Sequence, residues 1–470
     1  MTHHDLVVIG GGSAAFAAAI RGAELGARVA MVERGTIGGT CVNVGCVPSK
    51  ALIRAAEVAW GRQHHPFEGV PRGDGRIDLK RMVRQKRELV ERLRQAKYRD
   101  VLAAYPGIEY IEGEARFQDP DTIAVGRDGG GRALAVERVV LATGTRPWAP
   151  PIAGLDRVPH WTSTEALEAE TPPHALVVIG GSAVGTELAQ LFARLGSKVT
   201  ILEALPSLVP TEDEDLGRGL ASCLADEGVE VHVGTEVRSV THVGDGICLR
   251  AVTEGDEREF TGDRLLVATG RRPDLVALDL ESAGVETDDR GFIAVDQHLR
   301  TNQAHIYAAG DCAGLPQFVY VAARSGTLAS ENALGAESRA LDLSAVPAVT
   351  FTDPQVASVG RTEAQARAGE ADVVAQKLPL EHVPRALVSH DTRGFVKIVA
   401  RETDGRILGV HVLSPHAGEV IQTGVLGVKL GLTIDDLVDT LFPYLTEVEG
   451  LKLAAQTFSR RVEHLSCCAG

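Results

Sequence analysis

An internal echo constrains this chain more than any other feature. Val177-Val-Ile-Gly180 restates Val7-Val-Ile-Gly10 at an offset of 170 residues. At the same offset Leu195-Gly196 matches Leu25-Gly26, Val199 matches Val29 and Glu203 matches Glu33. Each copy reads as a buried strand, a glycine turn, a helix, and a second strand ending in an acid. That is the pattern of a unit that binds a dinucleotide at a helix N-terminus. In the first copy Gly10 permits the tight turn and Gly12 lets a pyrophosphate approach the backbone. Ala15 replaces the third glycine, and Glu33 is placed to accept hydrogen bonds from a ribose. In the second copy Gly180, Gly185 and Glu203 are the corresponding candidates. Ser182 stands there for the middle glycine, which narrows the pyrophosphate approach without removing the site. Val267-Ala-Thr269-Gly270 also echoes Leu141-Ala-Thr143-Gly144. Two such units in one chain predict two nucleotides, one held tightly and one exchanging.

Bulk properties narrow the class further. A chain of 470 residues outgrows a single core and predicts roughly two to four domains. Its net charge of −15 argues against nucleic acid, whose phosphates it would repel. No apolar run is long enough to span a bilayer. The N-terminus runs directly into the strand Leu6-Val-Val-Ile9 with no signal segment, so a cytoplasmic protein is expected. The seven cysteines are too sparse for a disulfide framework. Cys223, Cys248 and Cys312 read as buried small hydrophobes.

The chemistry centres on Gly38-Gly39-Thr40-Cys41-Val-Asn-Val-Gly-Cys46-Val-Pro-Ser-Lys50. With Cys41 and Cys46 on about one and a half helical turns, their sulfurs come within disulfide reach. Such a pair beside a dinucleotide motif is a redox group fed by a bound cofactor. A flavin and a nicotinamide in series fit best, because a flavin accepts a hydride and passes electrons to a disulfide. Leu79 to Tyr105 is a basic, helix-patterned run, and its charges read as a solvated face. Ile306-Tyr-Ala-Ala-Gly310-Asp311 is a buried strand that ends on a carboxylate. From about Val346 the chain changes to short strands followed by helices.

Together these features resemble the flavin-dependent pyridine nucleotide-disulfide oxidoreductases over essentially the whole length. The runs Phe318-Val-Tyr-Val321, Leu441-Phe-Pro-Tyr-Leu-Thr446 and the terminal Leu465-Ser-Cys-Cys-Ala-Gly470 resemble the branch that reduces Hg(II). The resemblance implies an α/β fold with two Rossmann-like domains and an α+β dimerisation domain. FAD would be held by 1–150 and 271–345, NAD(P)H by 151–270, and 346–470 would form a homodimer with a shared active site. It implies that Cys467 and Cys468 of one subunit pass Hg(II) to Cys41 and Cys46 of the other, all four serving as metal ligands. Thiolates suit this soft cation, and a helix N-terminus is expected to favour the Cys41 and Cys46 thiolates.

Within that frame Cys46 is the flavin-proximal sulfur and Cys41 the exchanging thiol. Lys50 and Glu187 match the family's ion pair near the reactive flavin nitrogen, and Asp311 matches a flavin ribityl contact. Tyr98 and Tyr444 match tyrosines that assist mercury binding. Gly39, Thr40, Thr143, Gly144, Gly270 and Val319 complete the expected cofactor-binding set. The family's disulfide reductases carry an acid–base histidine where Phe442 stands here, before Pro443 and with Glu447 following. That departure argues against dihydrolipoamide or glutathione reduction; a non-catalytic mercury-sequestering protein is the other rival. Many members of the Hg(II) branch carry a small metal-binding domain ahead of the flavin domain, which this chain is expected to lack. Glu203 favours NADH, whereas the family is generally NADPH-dependent, so both remain open.

Overall fold

The structure, a computed structural model, describes residues 2–73, 77–126, 131–335, 337–369 and 372–465. The chain divides into two compact units. The first comprises 1–51, 81–148 and 270–342; the second comprises 52–80, 149–269 and 343–470.

In the first unit a five-stranded parallel sheet runs in the order Ile306–Ala308, Val139–Leu141, Leu6–Ile9, Val29–Glu33, Ile108–Glu112. Its central strands are apolar at every position because both faces are covered, as parallel sheets require. The helices Ser13–Glu24 and Val319–Leu334 pack against each other at very short range. A Cβ on Gly326 would lie 2.1 Å from the Ala14 carbonyl oxygen, so that crossing demands glycine. A second sheet, Thr2–His4, Arg132–Val136, Thr122–Gly126, Glu114–Asp119, completes this unit's core.

The redox segment departs from the single run expected of it. Cys41 lies on a short helix, Gly39–Asn43, and Cys46 opens a separate one, Cys46–His64. Val44 leaves helical geometry at φ −141°, and Gly45 turns so closely that a Cβ would sit 2.9 Å from the Thr40 carbonyl oxygen. The basic run is helical from Leu79 to Ala103, but Gln95–Arg99 forms a π turn within it.

The second unit carries its own parallel sheet, in the order Glu230–His232, Lys198–Leu202, Ala175–Ile179, Arg264–Val267. An antiparallel three-stranded sheet spans Thr235 to Gly262. The C-terminal part is a five-stranded antiparallel sheet, in the order Ala348–Thr350, Gln355–Gly360, Ile407–Ser414, Phe395–Arg401, Val373–Pro379. The helices Ala417–Leu430 and Glu449–Gln456 contribute to the same apolar core as this sheet. Cys223 and Cys312 are buried as expected, whereas Cys248 is half-buried on a strand of the three-stranded sheet. Among the described residues no helix is long and apolar enough to cross a membrane.

Candidate active site

The two glycine turns have the same construction. Gly10 has φ 128° and Gly180 φ 106°, and a Cβ on either would strike the carbonyl oxygen of Ala142 (2.2 Å) or Ala268 (2.4 Å). The middle positions need no glycine for their backbone shape. Gly12 (φ −90°, ψ −171°) and Ser182 (φ −83°, ψ −171°) adopt nearly one conformation, open to any L residue. The third positions differ: Ala15 is buried, while a Cβ on Gly185 would meet the Gly180 carbonyl oxygen at 1.9 Å. Neither following helix, Ser13–Glu24 or Ala183–Arg194, has a side-chain N-cap or an acid in its first turn. Their N-terminal amides are therefore available to an anion.

The acids stand where the pattern requires. Glu33 closes its strand and accepts the Gly35 amide at 2.6 Å. It borders a pocket lined by Gly10, Val32, Thr143, Asp274 and Leu278, among others. Glu203 is buried, with one carboxylate oxygen accepting the Gly181 amide at 2.6 Å and the other the Leu205 amide at 2.8 Å.

The first unit brings most of the expected flavin and thiol residues to one region. Gly39, at φ 59°, would place a Cβ 2.5 Å from Gly12 Cα, so the redox segment abuts the dinucleotide turn. Cys41 and Cys46 are not joined by a disulfide, the first being partly buried and the second exposed. Cys41 is pushed upward in pKa by its hydrogen bond to Cys46 and by burial, so its ionisation is disfavoured rather than promoted. This corrects the expectation for Cys41: two sulfurs in contact hold one negative charge far more easily than two.

Tyr98, delivered by the π turn, stacks edge-on against Phe16 with ring centroids 4.7 Å apart. Burial raises its pKa, as does the charge of Cys41, while a hydrogen bond with Ser13 acts the other way. Asp311 accepts the Thr145 hydroxyl at 3.0 Å; burial raises its pKa against that bond and against the Arg271 charge. Gly144, at φ 69°, precedes Thr145, and Val319 is the first residue of a helix that also lacks a side-chain cap or first-turn acid. The buried Leu141 and Ala142 lead into Thr143, and Gly270 has φ 111°.

The Lys50 charge reaches Cys41 and works against the rise in its pKa. Lys50 is in the first unit, on the helix that begins at Cys46. Glu187 and Tyr444 are in the second. Glu187 is buried and accepts the Phe351 amide at 2.8 Å, while Tyr444 is exposed. Cys467 and Cys468 lie outside the described residues.

Several groups of the site stand outside the recognisable motifs. Arg271 donates to Thr145 Oγ1 at 2.9 Å, to the Thr145 carbonyl at 2.6 Å and to Thr40 Oγ1 at 3.3 Å, tying the redox segment to the Asp311 region. Its place after Gly270 in the repeated Ala-Thr-Gly motif was the available signal. Asn43 and Arg94 form a second tie, with no motif to announce it. Phe442 packs against the C-terminal core, and the buried Glu447 carboxylate instead holds His416, through Nδ1 at 2.7 Å and the backbone amide at 3.0 Å.

These features define a class. The chain belongs to the pyridine nucleotide-disulphide oxidoreductases: the family model matches residues 4–326, and that family's dimerisation domain matches 346–455. Within the class, its relatives include the mercuric reductase of Shigella flexneri, 49% identical over 99% of this chain and 82% of the relative. The mercuric reductase of Streptomyces lividans is 46% identical, covering 100% of this chain and 99% of the relative. Among solved structures, the Cu(II) complex of the HOCl-induced flavoprotein disulfide reductase RclA from Escherichia coli has a TM-score of 0.87. It is 32% identical and covers 97% of this chain and 100% of that one.

Proposed function

We propose that this chain is a flavoprotein reductase that draws electrons from a reduced nicotinamide and delivers them to thiol-bound Hg(II), giving Hg(0). One observation carries the reading: two thiols in contact, Cys41 and Cys46, abut a dinucleotide-binding turn in a chain 49% identical to a mercuric reductase.

The first unit's residues fit FAD. The uncapped helix at Ser13 and the Gly10–Gly12 turn suit its pyrophosphate, Glu33 a ribose, Asp311 a ribityl hydroxyl, and Gly39–Thr40 the approach of the ring. When bound, the flavin supplies the electron relay between the nicotinamide and the sulfur pair. We assign FAD to 1–150 and 271–345, NAD(P)H to 151–270, and a homodimer contact to 346–470. Glu203 has both oxygens held by backbone amides, which aims its charge at the adenosine ribose. That arrangement supports NADH over NADPH, whose extra phosphate it repels.

Cys41 and Cys46 are the two ligands that hold the metal while it is reduced, with Tyr98 within electrostatic reach of both. Lys50 and Glu187 are proposed as a pair beside the flavin. Cys467 and Cys468 of the other subunit are proposed to acquire Hg(II) from small thiols and pass it on, with Tyr444 assisting. Soft two-coordinate thiolate binding makes each transfer an exchange between like ligands.

Anaerobic oxidation of the nicotinamide on adding Hg(II) in excess thiol tests this reading. It is expected in the wild type, absent in Cys41→Ser, and slowed when the chain is truncated before Cys467. Wild-type oxidation that follows added glutathione disulfide or lipoamide but not Hg(II) rejects it.

A further inference from the structure

The protein carries a net charge of −15, yet residues 81–99 hold eight cations against two carboxylates. Arg81, Arg84, Arg87, Arg92, Lys97 and Arg99 are exposed along this helix. The two acids of that span, Glu88 and Glu91, are each engaged by arginines of the same helix, and Asp100, one residue beyond it, accepts from Gln95. Arg92 and Lys97 form no ion pair with any described residue.

A solvated face explains exposure, but not a strong excess of one sign, which costs self-repulsion between cations three apart, as at Arg81/Arg84, Arg84/Arg87 and Arg94/Lys97. Nor does it explain where the helix leads. Arg94 donates to Asn43, two residues from Cys41, and the Tyr98 ring lies 3.6 Å from where a Cβ on Gly38 would be. The basic stripe therefore runs up to the edge of the thiol pair.

We infer that this helix is an electrostatic guide for Hg(II) complexes of carboxylate-bearing small thiols, raising the rate at which anionic substrate reaches the shared active site beside Cys41 and Cys46, where the exchanging thiols take up the metal. The inference rests on the Hg(II) reductase reading and specifies the substrate form that reading leaves open. Screening makes the guide local: at physiological salt, charges beyond about 8 Å are largely masked. An arriving complex thus feels the stripe more than the distant net −15. Capture is ligand exchange: a bond from Hg(II) to a protein thiolate forms as the bond to one small thiolate breaks. That thiolate leaves with its electron pair, and no redox change occurs.

The test compares kcat/KM of the holoenzyme for three Hg(II) bis-thiolates: glutathione (anionic), 2-mercaptoethanol (neutral) and cysteamine (cationic). Wild type is set against Arg92→Glu/Lys97→Glu, and against the milder Arg92→Gln/Lys97→Gln. At low ionic strength the charge-reversed protein should lose about tenfold on the glutathione complex and gain on the cysteamine complex, with the glutamine pair between. High salt should collapse these differences. Equal changes for all three complexes, or none, overturn the inference while leaving the reductase reading intact. Failure of wild type to oxidise nicotinamide with any of the three rejects both.

Discussion

The Arg94 guanidinium donates through Nε to Asn43 Oδ1 at 2.9 Å, and Asn43 in turn donates to the carbonyls of Thr36 (3.2 Å) and Ile37 (3.0 Å). This chain of bonds closes the five-residue helix that carries Cys41. A helix that short has no stability of its own, so its position depends on such ties.

Replacing Arg94 with Met should therefore affect chemistry more than folding. Loss of the Asn43 bond costs about 1 kcal/mol of stability and loss of the exposed Glu91 pair less than that, whereas a thiol displaced by a fraction of an ångström can cost on the order of tenfold or more in kcat. Thermal melts and turnover measured on the same preparation separate the two effects. Arg94→Lys should recover little, since a lysine cannot reproduce the planar donor geometry. Full activity in Arg94→Met refutes the positioning role.

The pKa of Cys41 sets a pH signature. Its proton is retained because the sulfhydryl bonds to Cys46 and is partly buried. Metal binding by both sulfurs must expel that proton, since the thiolate is the ligand. With the Cys41 value raised, transfer of Hg(II) onto the reduced pair should accelerate with rising pH and still be climbing at about 8.5, the ordinary thiol value. Stopped-flow transfer to pre-reduced enzyme reads this directly. A plateau already reached near neutrality contradicts it.

The fold was legible because its signals are covalent-scale and local. Gly10 and Gly180 must be glycine to fit under a neighbouring carbonyl, and that necessity is written in the sequence twice. The apolar runs at Leu6–Ile9 and Ala175–Ile179 announce buried parallel strands for the same reason. Ties between distant segments left no such mark. Arg271 reaches Thr145 and Thr40 across 126 and 231 residues of chain, and nothing in a guanidinium's neighbours in sequence says where it will point. The π turn was equally hidden, because its apolar stripe differs from an α-helical one by a single residue of register. The motif at Phe442 marks the missing histidine but carries no sign of His416, which pairs with the Glu447 carboxylate from the end of a different strand.

Glu203 yields a prediction about cofactor choice. Both its oxygens are anchored by the amides of Gly181 and Leu205, so its charge is fixed in place and cannot swing aside for a phosphate. NADH should be used at least as well as NADPH, and Glu203→Ala should lower kcat/KM for NADH by about tenfold while affecting NADPH less or improving it. Side-by-side kinetics with the two nucleotides settle this. A strong wild-type preference for NADPH sinks it.

The last prediction concerns stability and uses a buried charge cluster in the second unit. Lys397 Nζ lies 2.8 Å from Asp213, 2.8 Å from Asp215 and 2.9 Å from Glu363. Its side chain is 5% exposed and that of Asp213 is 3%. Burial alone would lower the Lys397 pKa, but its bonds to the three carboxylates raise it overall. Burial would likewise raise Asp213 and Asp215, and their bonds to Lys397 bring both below the usual carboxylate range. The signs give the window. Depressed carboxylates contribute stability above their unfolded value of about 3.9, lost as pH falls through the folded values. A raised lysine contributes below about 10.4, lost as pH rises through its folded value. The cluster is thus fully engaged near neutrality. Lys397→Met strands a buried charge on Asp213 and should destabilise the protein by about 3–5 kcal/mol at pH 7. Urea midpoints should show the gap between variant and wild type narrowing below about pH 4, as the carboxylates protonate in both. Adding Asp213→Asn to Lys397→Met removes the stranded charge and should recover part of the loss. A gap that stays constant from neutral to acid pH means the lysine acts by packing alone.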